Sequence, residues 1–238
     1  MATTTSPPDL VTTLVVANRI LYRHGVVDGF GHVSARSPGA PERFLLSRSL
    51  APGQVTRADV MTFDLDGNAQ NGDVRQPYLE RFIHGEIYRA RPDVGSIVHS
   101  HSPSVIPFGA TRQALRPLYH MSSFIGEGSA IFEIRDAGGD TDMLIRDRPL
   151  GVALARSLGD RAVVLMRGHG STVVGASIEE AVFRAIYTEM NARLQMQALA
   201  LGEPVYLNAE EAARSTRTNQ GVLRRAWDLW AGDVGPLV

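Results

Sequence analysis

Segments with helical and strand-like periodicity alternate irregularly along this chain, without the regular β-α-β order of a parallel sheet. The longest helix is predicted for Ser177–Leu201, because Ser177 and Glu180 form a capping box and Gly202 follows the last residue. This mixture predicts an α/β sandwich around a mainly antiparallel sheet. The other predicted helices are Asp9–His24, Tyr78–Arg91, Ser104–Ala110, Leu150–Leu158 and Glu210–Trp230, and the predicted strands are His32–Ser37, Arg43–Ser47, Val60–Leu65, Gly95–His101, Ala130–Arg135, Ala162–Met166 and Thr172–Gly175.

The length and charge of the chain limit its organisation and its partners. A chain of 238 residues buries roughly 70–75% of its unfolded surface, and no linker divides it, so we expect one domain over residues 9–238. The polar stretch Met1–Pro8 is expected to be disordered. The net charge of −1, without a basic patch, argues against a nucleic-acid partner. No run reaches the ~18 apolar residues of a membrane span, and no signal peptide is visible, so we expect a cytoplasmic protein without a membrane partner.

Two residue types are absent from the chain, and each absence excludes a class of chemistry. There is no cysteine, which excludes thiolate nucleophiles, disulfides and cysteine-ligated zinc. All 24 Lys and Arg residues are arginine, so Schiff-base chemistry on a lysine, including that of pyridoxal phosphate (PLP) enzymes, is excluded as well. The glycine-rich stretch 29–37 could hold an anion on backbone amides, but it does not lie between a strand and a helix. It is therefore not a dinucleotide fingerprint, and we expect no NAD.

Three histidines are candidate metal ligands. His99 and His101 end a predicted strand, and residues two apart on a strand point to the same face. His169 lies between two glycines in the loop after another buried strand. Three neutral imidazoles with one open position would suit a catalytic divalent ion. The alternative is a strand end whose two rings meet water and a tight turn with an incidental histidine.

A carboxylate and an arginine are further candidates for the site. Glu80 and His84 are four residues apart on a predicted helix and can share one face, although such a pair is more often found on the surface. Arg48 lies between Ser47 and Ser49, where its guanidinium could bind a carboxylate or a phosphate through two hydrogen bonds. An ordinary surface arginine is the alternative.

The order of these motifs resembles the class II aldolase/adducin family over about Leu10–Leu207. The resemblance implies an α/β/α sandwich with a central, mostly antiparallel sheet, and a homotetramer with active sites at subunit interfaces. It also implies that His99, His101 and His169 bind one divalent metal ion and that Glu80 is the acid/base beside it. Zinc, manganese and iron(II) all accept imidazole ligands. The resemblance is carried by Gly31-His32-Val33-Ser34, by Glu80 with His84, by His99-x-His101 and by Gly168-His169-Gly170.

Three segments depart from the phosphate-holding pattern of the family's sugar-phosphate enzymes. Histidine replaces asparagine at His32 in the segment that ends at Ser34, and Ser47-Arg48-Ser49-Leu50 lacks the expected glycine. Tyr78-Leu79-Glu80 lacks two serine hydroxyls. A phosphate dianion needs several donors, so these changes argue against a sugar phosphate and favour a flat ring bearing a carboxylate. The chain looks closest to the family's decarboxylases of hydroxy-aromatic and hydroxypyridine carboxylates.

The resemblance therefore implies a lyase that decarboxylates an ortho-hydroxy aromatic or hydroxypyridine carboxylate. The hydroxyl and the adjacent carboxylate would chelate the ion, and Glu80, or a water that it orients, would protonate the ring carbon. Arg48 and His32 would hold a second polar substituent of the substrate, with Ser34, Ser47 and Ser49 as further substrate-binding candidates. His120 is a further pocket candidate, with a structural histidine as the alternative. Two other functions stay open: an aldolase or epimerase acting on a hydroxy-carbonyl substrate, and a non-catalytic scaffold of the adducin type.

Overall fold

A computed structural model describes residues 9–235 of the chain. The segment 1–8, for which disorder is predicted, lies outside the described residues. A seven-stranded sheet runs through the middle of the fold, with the order β3-β2-β1-β4-β7-β6-β5. Only β5 and β6 are parallel among the described strand pairs, which confirms the predicted, mostly antiparallel sheet. The strands are β1 (His32–Ser37), β2 (Ala40–Ser47), β3 (Val60–Asp64), β4 (Ser96–Ser100), β5 (Ala130–Phe132), β6 (Val163–Met166) and β7 (Gly170–Gly175).

Helices cover both faces of this sheet and enclose two separate hydrophobic cores. On one face α1, α6 and α8 lie over the sheet, and on the other face α2 and α5 do so. No helix of the described residues is long and apolar enough to cross a membrane. The helices are α1 (Leu10–Arg23), α2 (Arg81–Ala90), α3 (Ile106–Ala110), α4 (Ile134–Gly138), α5 (Arg148–Leu158), α6 (Ile178–Leu201), α7 (Ala209–Gln220) and α8 (Leu223–Asp233).

Alternation along the strands divides the side chains between the two cores. Ile97 belongs to the core beneath α2 and α5, whereas Val98 belongs to the core beneath α1 and α6. Val174 and Val173 are divided in the same way on β7. Successive strand residues point to opposite faces, so nearly continuous apolar strands can be buried on both sides. The sandwich therefore has three layers, helices–sheet–helices, as predicted.

The strand register brings two predicted site segments together. His32 on β1 lies directly opposite His99 on β4. The β6–β7 turn then places His169 beside the end of β4. Gly170 follows at the start of β7, where an added Cβ would lie 3.0 Å from the Cα of His101. A side chain at this position would therefore separate the two loops, and the glycine permits their close approach.

Most predicted elements have slightly different ends in the structure, and three of the differences have a clear physical reason. The helix predicted for Tyr78–Arg91 begins at Arg81, because Glu80 is its N-cap residue and its backbone is not helical. The strand predicted for Ala130–Arg135 ends at Phe132, because the Glu133 side chain caps α4 by accepting a hydrogen bond from a backbone N–H.

The third difference is at the C-terminal end of the described chain. One helix is predicted for Glu210–Trp230, but α7 ends at Gln220 and α8 begins at Leu223. The break allows Trp227 and Trp230 to become buried in the core beneath α1 and α6. Tertiary burial thus outweighs the local helical pattern.

Candidate active site

Four side chains converge at the end of β4 on the α2 side of the sheet. The Nε2 atoms of His99 and His101 are 3.3 Å apart, and those of His101 and His169 are 2.9 Å apart. Glu80 Oε2 lies 3.6 Å from His99 Nε2 and 3.5 Å from His169 Nε2. One ligand atom from each of the four residues lies within 4.8 Å of the others. The structure therefore brings together the predicted acid/base and all three predicted metal ligands.

The donor set fits a divalent cation. Nitrogen ligands held 2.0–2.1 Å from a tetrahedral ion are about 3.3–3.4 Å from one another, and the Nε2–Nε2 distances of 3.3 Å for His99 and His101 and 2.9 Å for His101 and His169 lie near that value. The other ring nitrogens of two histidines have partners outside the cluster. His169 Nδ1 is 2.9 Å from the carbonyl oxygen of Met143, and His99 Nδ1 is 3.4 Å from the Thr172 hydroxyl. Such contacts orient Nε2 towards a shared centre.

The electrostatics of Glu80 keep its carboxylate ionised at neutral pH. Burial opposes ionisation, but the imidazoles of His99 and His169 and the backbone N–H of Ile145 outweigh it and lower the pKa of Glu80 to about 2. The Ile145 N–H donates to Oε1 at 2.9 Å, so that Oε2 is directed towards the histidines. Burial also opposes protonation of His169, yet the hydrogen bond and charge of Glu80 raise its pKa. For His99 burial prevails and lowers the pKa.

A buried chain of polar side chains lies directly behind this cluster. The His32 ring is 5.0 Å from the His99 ring, centroid to centroid, and His32 Nδ1 is 2.7 Å from His84 Nε2. The Ser34 hydroxyl lies 2.6 Å from His84 Nδ1 and 2.7 Å from the Tyr88 hydroxyl. His84 is fully buried, so the surface alternative for the pair Glu80 and His84 is wrong. Burial lowers the pKa of His84 to about 3, which keeps this imidazole neutral.

The predicted clamp around Arg48 lies at the end of β2. Arg48 Nε donates to Asp59 Oδ1 at 2.6 Å, which holds one side of the guanidinium, and the Arg48 side chain is 39% exposed. Ser47 is buried, and its hydroxyl is 3.4 Å from the Tyr78 hydroxyl. The Tyr78 ring in turn lies 4.6 Å from the His32 ring. Side-chain contacts therefore connect this end of β2 with the metal-ligand cluster.

Two predicted residues lie outside these contacts. Ser49 is exposed, and its backbone N–H donates to the carbonyl oxygen of Gln76. His120 is also exposed, and its carbonyl oxygen accepts a hydrogen bond from the Asn219 side chain. Among the described residues, the structure does not bring the His120 ring into the cluster of histidines and Glu80.

Several residues that organise the site were missed by the sequence analysis. Thr172 and the backbone atoms of Met143 and Ile145 orient the ligands, yet they belong to segments without a motif. Tyr88 carried a usable signal, because it lies four residues after His84 on the same helix and so shares its face.

The family of the chain follows from comparison with known proteins. The model of the family described as "Class II Aldolase and Adducin N-terminal domain" matches residues 12–196. The chain belongs to this family, which confirms the resemblance found in its motifs.

Individual proteins similar to this chain include named decarboxylases and a solved structure with the same fold. Decarboxylase tropJ of Talaromyces stipitatus is 38% identical, with 94% of this chain and 93% of that protein aligned. A 3,4-dihydroxyphthalate decarboxylase of Terrabacter is 36% identical over 83% of this chain and 84% of its own length. The crystal structure of an aldolase II superfamily protein from Pseudomonas syringae has a TM-score of 0.78 and 24% identity, and it covers 97% of this chain and 94% of its own. This last similarity concerns the fold alone.

Proposed function

We propose that the protein is a divalent-metal-dependent carboxy-lyase that decarboxylates an ortho-hydroxy aromatic or hydroxypyridine carboxylate. The observation that carries this proposal is the convergence of three imidazoles and one carboxylate within 4.8 Å. Relatives with more than a third of their residues identical are named decarboxylases, and one of them acts on a dihydroxyphthalate. These relatives favour carboxy-lyase chemistry over the aldolase or epimerase alternative.

His99, His101 and His169 would hold the ion, with Glu80 beside it. Zinc, manganese and iron(II) are the candidates, because each accepts imidazole nitrogen together with carboxylate oxygen. The bound ion would supply Lewis acidity towards the substrate hydroxyl and carboxylate oxygens. A non-catalytic scaffold requires no metal ligands. The presence of the complete ligand set therefore argues against the scaffold function.

Glu80 moves the proton in this proposal. Its Oε2 is ionised at neutral pH and therefore accepts the proton of the substrate hydroxyl when the substrate binds. The same oxygen then gives this proton to the ring carbon as the carboxylate leaves as CO2, and the product phenolate takes a proton from water. The Ile145 N–H holds Oε1 throughout, so that the carboxyl group stays oriented. Proton transfer by a positioned group contributes about 10²–10⁴-fold to the rate.

The second polar group of the substrate is assigned to His32 and Arg48. The Arg48 side chain is partly exposed, and Asp59 holds the guanidinium in place without using all of its donors. Ser47 and Ser49 remain candidates for the same group. We assign the buried Ser34 hydroxyl to contacts with His84 and Tyr88, and so to the support of His84, instead of to the substrate.

Further parts of the proposal concern the assembly and the surroundings. We expect a homotetramer with active sites at subunit interfaces, acting in the cytoplasm, without PLP, NAD or nucleic acid. The exposed ring of His120 stays a candidate for contact with the substrate.

The deciding experiment measures CO2 release from a panel of hydroxy-aromatic and hydroxypyridine carboxylates. Aldehyde release from unphosphorylated hydroxy-carbonyl compounds is measured beside it. The purified protein is loaded in turn with Zn²⁺, Mn²⁺ and Fe²⁺, and its metal content is determined by elemental analysis. We expect CO2 release with at least one ortho-hydroxy acid and none after chelation. Aldehyde release without CO2 would refute the carboxy-lyase assignment, and a protein that binds no metal would support the scaffold.

A further inference from the structure

Four buried polar side chains form an unbroken hydrogen-bonded chain that ends at the candidate active site. Tyr88 on α2 contacts Ser34 on β1, Ser34 contacts His84 on α2, and His84 contacts His32 on β1, with spacings of 2.6–2.7 Å. All four residues are at most 3% exposed. The Ser34 hydroxyl has one hydrogen, and its possible acceptors among the described residues are the Tyr88 oxygen and His84 Nδ1, so the chain of hydrogen bonds can run in two directions.

The Tyr88 end of the chain determines this direction. Within the described residues, the only hydrogen-bond partner of the Tyr88 hydroxyl is the Ser34 hydroxyl. The nearby cation cannot accept a hydrogen bond, because the Arg36 guanidinium lies over the Tyr88 ring and has donors only. If Ser34 donated to Tyr88, the phenolic hydrogen would remain buried without an acceptor. An unsatisfied buried donor of this kind disfavours that arrangement by roughly 5- to 150-fold.

We infer that Tyr88, Ser34 and His84 are positioning residues that hold His32 in a single tautomer, with a bare Nδ1 and a protonated Nε2. Tyr88 donates to Ser34, and Ser34 donates to His84 Nδ1. His84 therefore carries its hydrogen on Nε2 and donates to His32 Nδ1. Neither His84 nor His32 is doubly protonated in this series of hydrogen bonds, since a second ring hydrogen would reverse one of the bonds.

This assignment gives His32 a defined function at the site. Its Nε2 has no hydrogen-bond partner among the described residues, and its ring lies 5.0 Å from that of the metal-ligand candidate His99. His32 therefore offers a hydrogen-bond donor and selects for an acceptor atom on the substrate. This identification of the acceptor rests on the proposed function: the acceptor is an oxygen of the substrate carboxylate or of a second ring substituent. A substrate with a donor group at this position, such as an amide nitrogen, would be rejected.

Nitrogen NMR of the full-length protein tests the tautomer directly. Histidine labelled with ¹⁵N gives different long-range ¹H–¹⁵N patterns for the two neutral tautomers and for the cation. The His32 signals are identified by their loss in His32→Asn. We expect a protonated Nε2 and a bare Nδ1 for both His32 and His84, in the metal-free and the Zn²⁺-loaded protein. A protonated His32 Nδ1, alone or in a cationic ring, would overturn the inference.

The Ser34→Ala variant tests the origin of the direction. Without the Ser34 hydroxyl no donor fixes His84 Nδ1, so we expect the second tautomer of His32 to appear. The KM of the best substrate should rise about twofold or more while kcat stays within twofold, because a ground-state contact is weakened. Ser122→Ala is the matched control, since Ser122 is equally buried but its hydroxyl contacts Tyr119 and Asn191, and it should leave the His32 signals unchanged.

The outcomes separate this inference from the proposed function. Unchanged His32 nitrogen shifts in Ser34→Ala would contradict the role of Ser34, whatever the activity. If that variant does not fold, Tyr88→Phe leaves His84 Nδ1 as the one acceptor for the Ser34 hydrogen among the described residues, and a second His32 tautomer in that variant would overturn the inference. The expected tautomer in a protein that releases no CO2 would refute the decarboxylase and leave the hydrogen-bonded chain intact.

Discussion

Replacement of Glu80 by glutamine isolates the proton-transfer role from the structural one. Glutamine has the same shape, and its amide oxygen can keep the bond to the Ile145 N–H, which measures 2.9 Å in the native protein. Its amide nitrogen would replace the Oε2 atom that lies 3.5–3.6 Å from His99 and His169. An amide neither accepts a proton near neutral pH nor returns one to carbon.

The size of the effect follows from these contacts. Proton transfer by a positioned group is worth about 10²–10⁴-fold, so kcat of Glu80→Gln should fall by that factor, which corresponds to about 2.7–5.4 kcal/mol. The free energy of unfolding should be affected far less, because the hydrogen bond to Ile145 is retained in the variant and contributes only about 0.5–1.5 kcal/mol to stability. The three imidazoles remain, and we expect the variant to retain its metal.

The assay combines CO2 release with elemental analysis and urea unfolding. Glu180→Gln is the matched control, because Glu180 is also 7% exposed and also accepts a backbone N–H, that of Ala176, but lies at the start of α6. The control should keep kcat within twofold. Turnover of Glu80→Gln within a few-fold of the native enzyme, at full metal occupancy, would show that Glu80 does not move the proton.

Three further predictions concern the metal and the packing of the helices. His101→Ala should lose its metal on dialysis, and full occupancy by elemental analysis would remove this residue from the ligand set. The pKa of His169 is raised, so its proton competes with the cation. Metal affinity should therefore begin to fall at a higher pH than an unperturbed histidine, with a pKa of about 6.5, would cause, and proton release on binding is measured by calorimetry in buffers of different ionisation enthalpy. Gly151→Ala should destabilise the fold by about 1–3 kcal/mol in urea, because the new Cβ would lie 2.7 Å from the Phe82 carbonyl oxygen. Gly232→Ala has open space and should cost nothing.

The metal-ligand cluster was predicted in two steps, because spacing made the histidines candidate ligands and the resemblance to the family then implied that they bind one ion. Two histidines at alternate positions of a strand share a face, and the glycines around His169 allow a close approach of loops. The seven predicted strands all occur, with ends displaced by a few residues. The two cores follow from alternation along strands such as β4 and β7, where adjacent apolar residues are divided between faces.

Other features depend on contacts between distant segments and have no local pattern. The role of Ser34 could not be read from its motif, because it is set by His84 and Tyr88 on a helix about fifty residues later in the chain. Glu80 was predicted inside the helix but lies at its N-cap, where its carboxylate accepts a hydrogen bond from the distant Ile145 N–H. Arg48 was expected to be free for a ligand, but one of its donors is used by Asp59.

The three metal-ligand candidates and Glu80 come from three separate segments between residues 80 and 169, and the unfolded polypeptide does not hold these segments together. An ion that binds there recognises only the native conformation and shifts the folding equilibrium by mass action. At a free concentration a thousand times its dissociation constant, this shift amounts to about 4 kcal/mol. Starvation for trace elements would then shorten the lifetime of the protein against proteases, so that its abundance follows nutrient supply without a dedicated regulator.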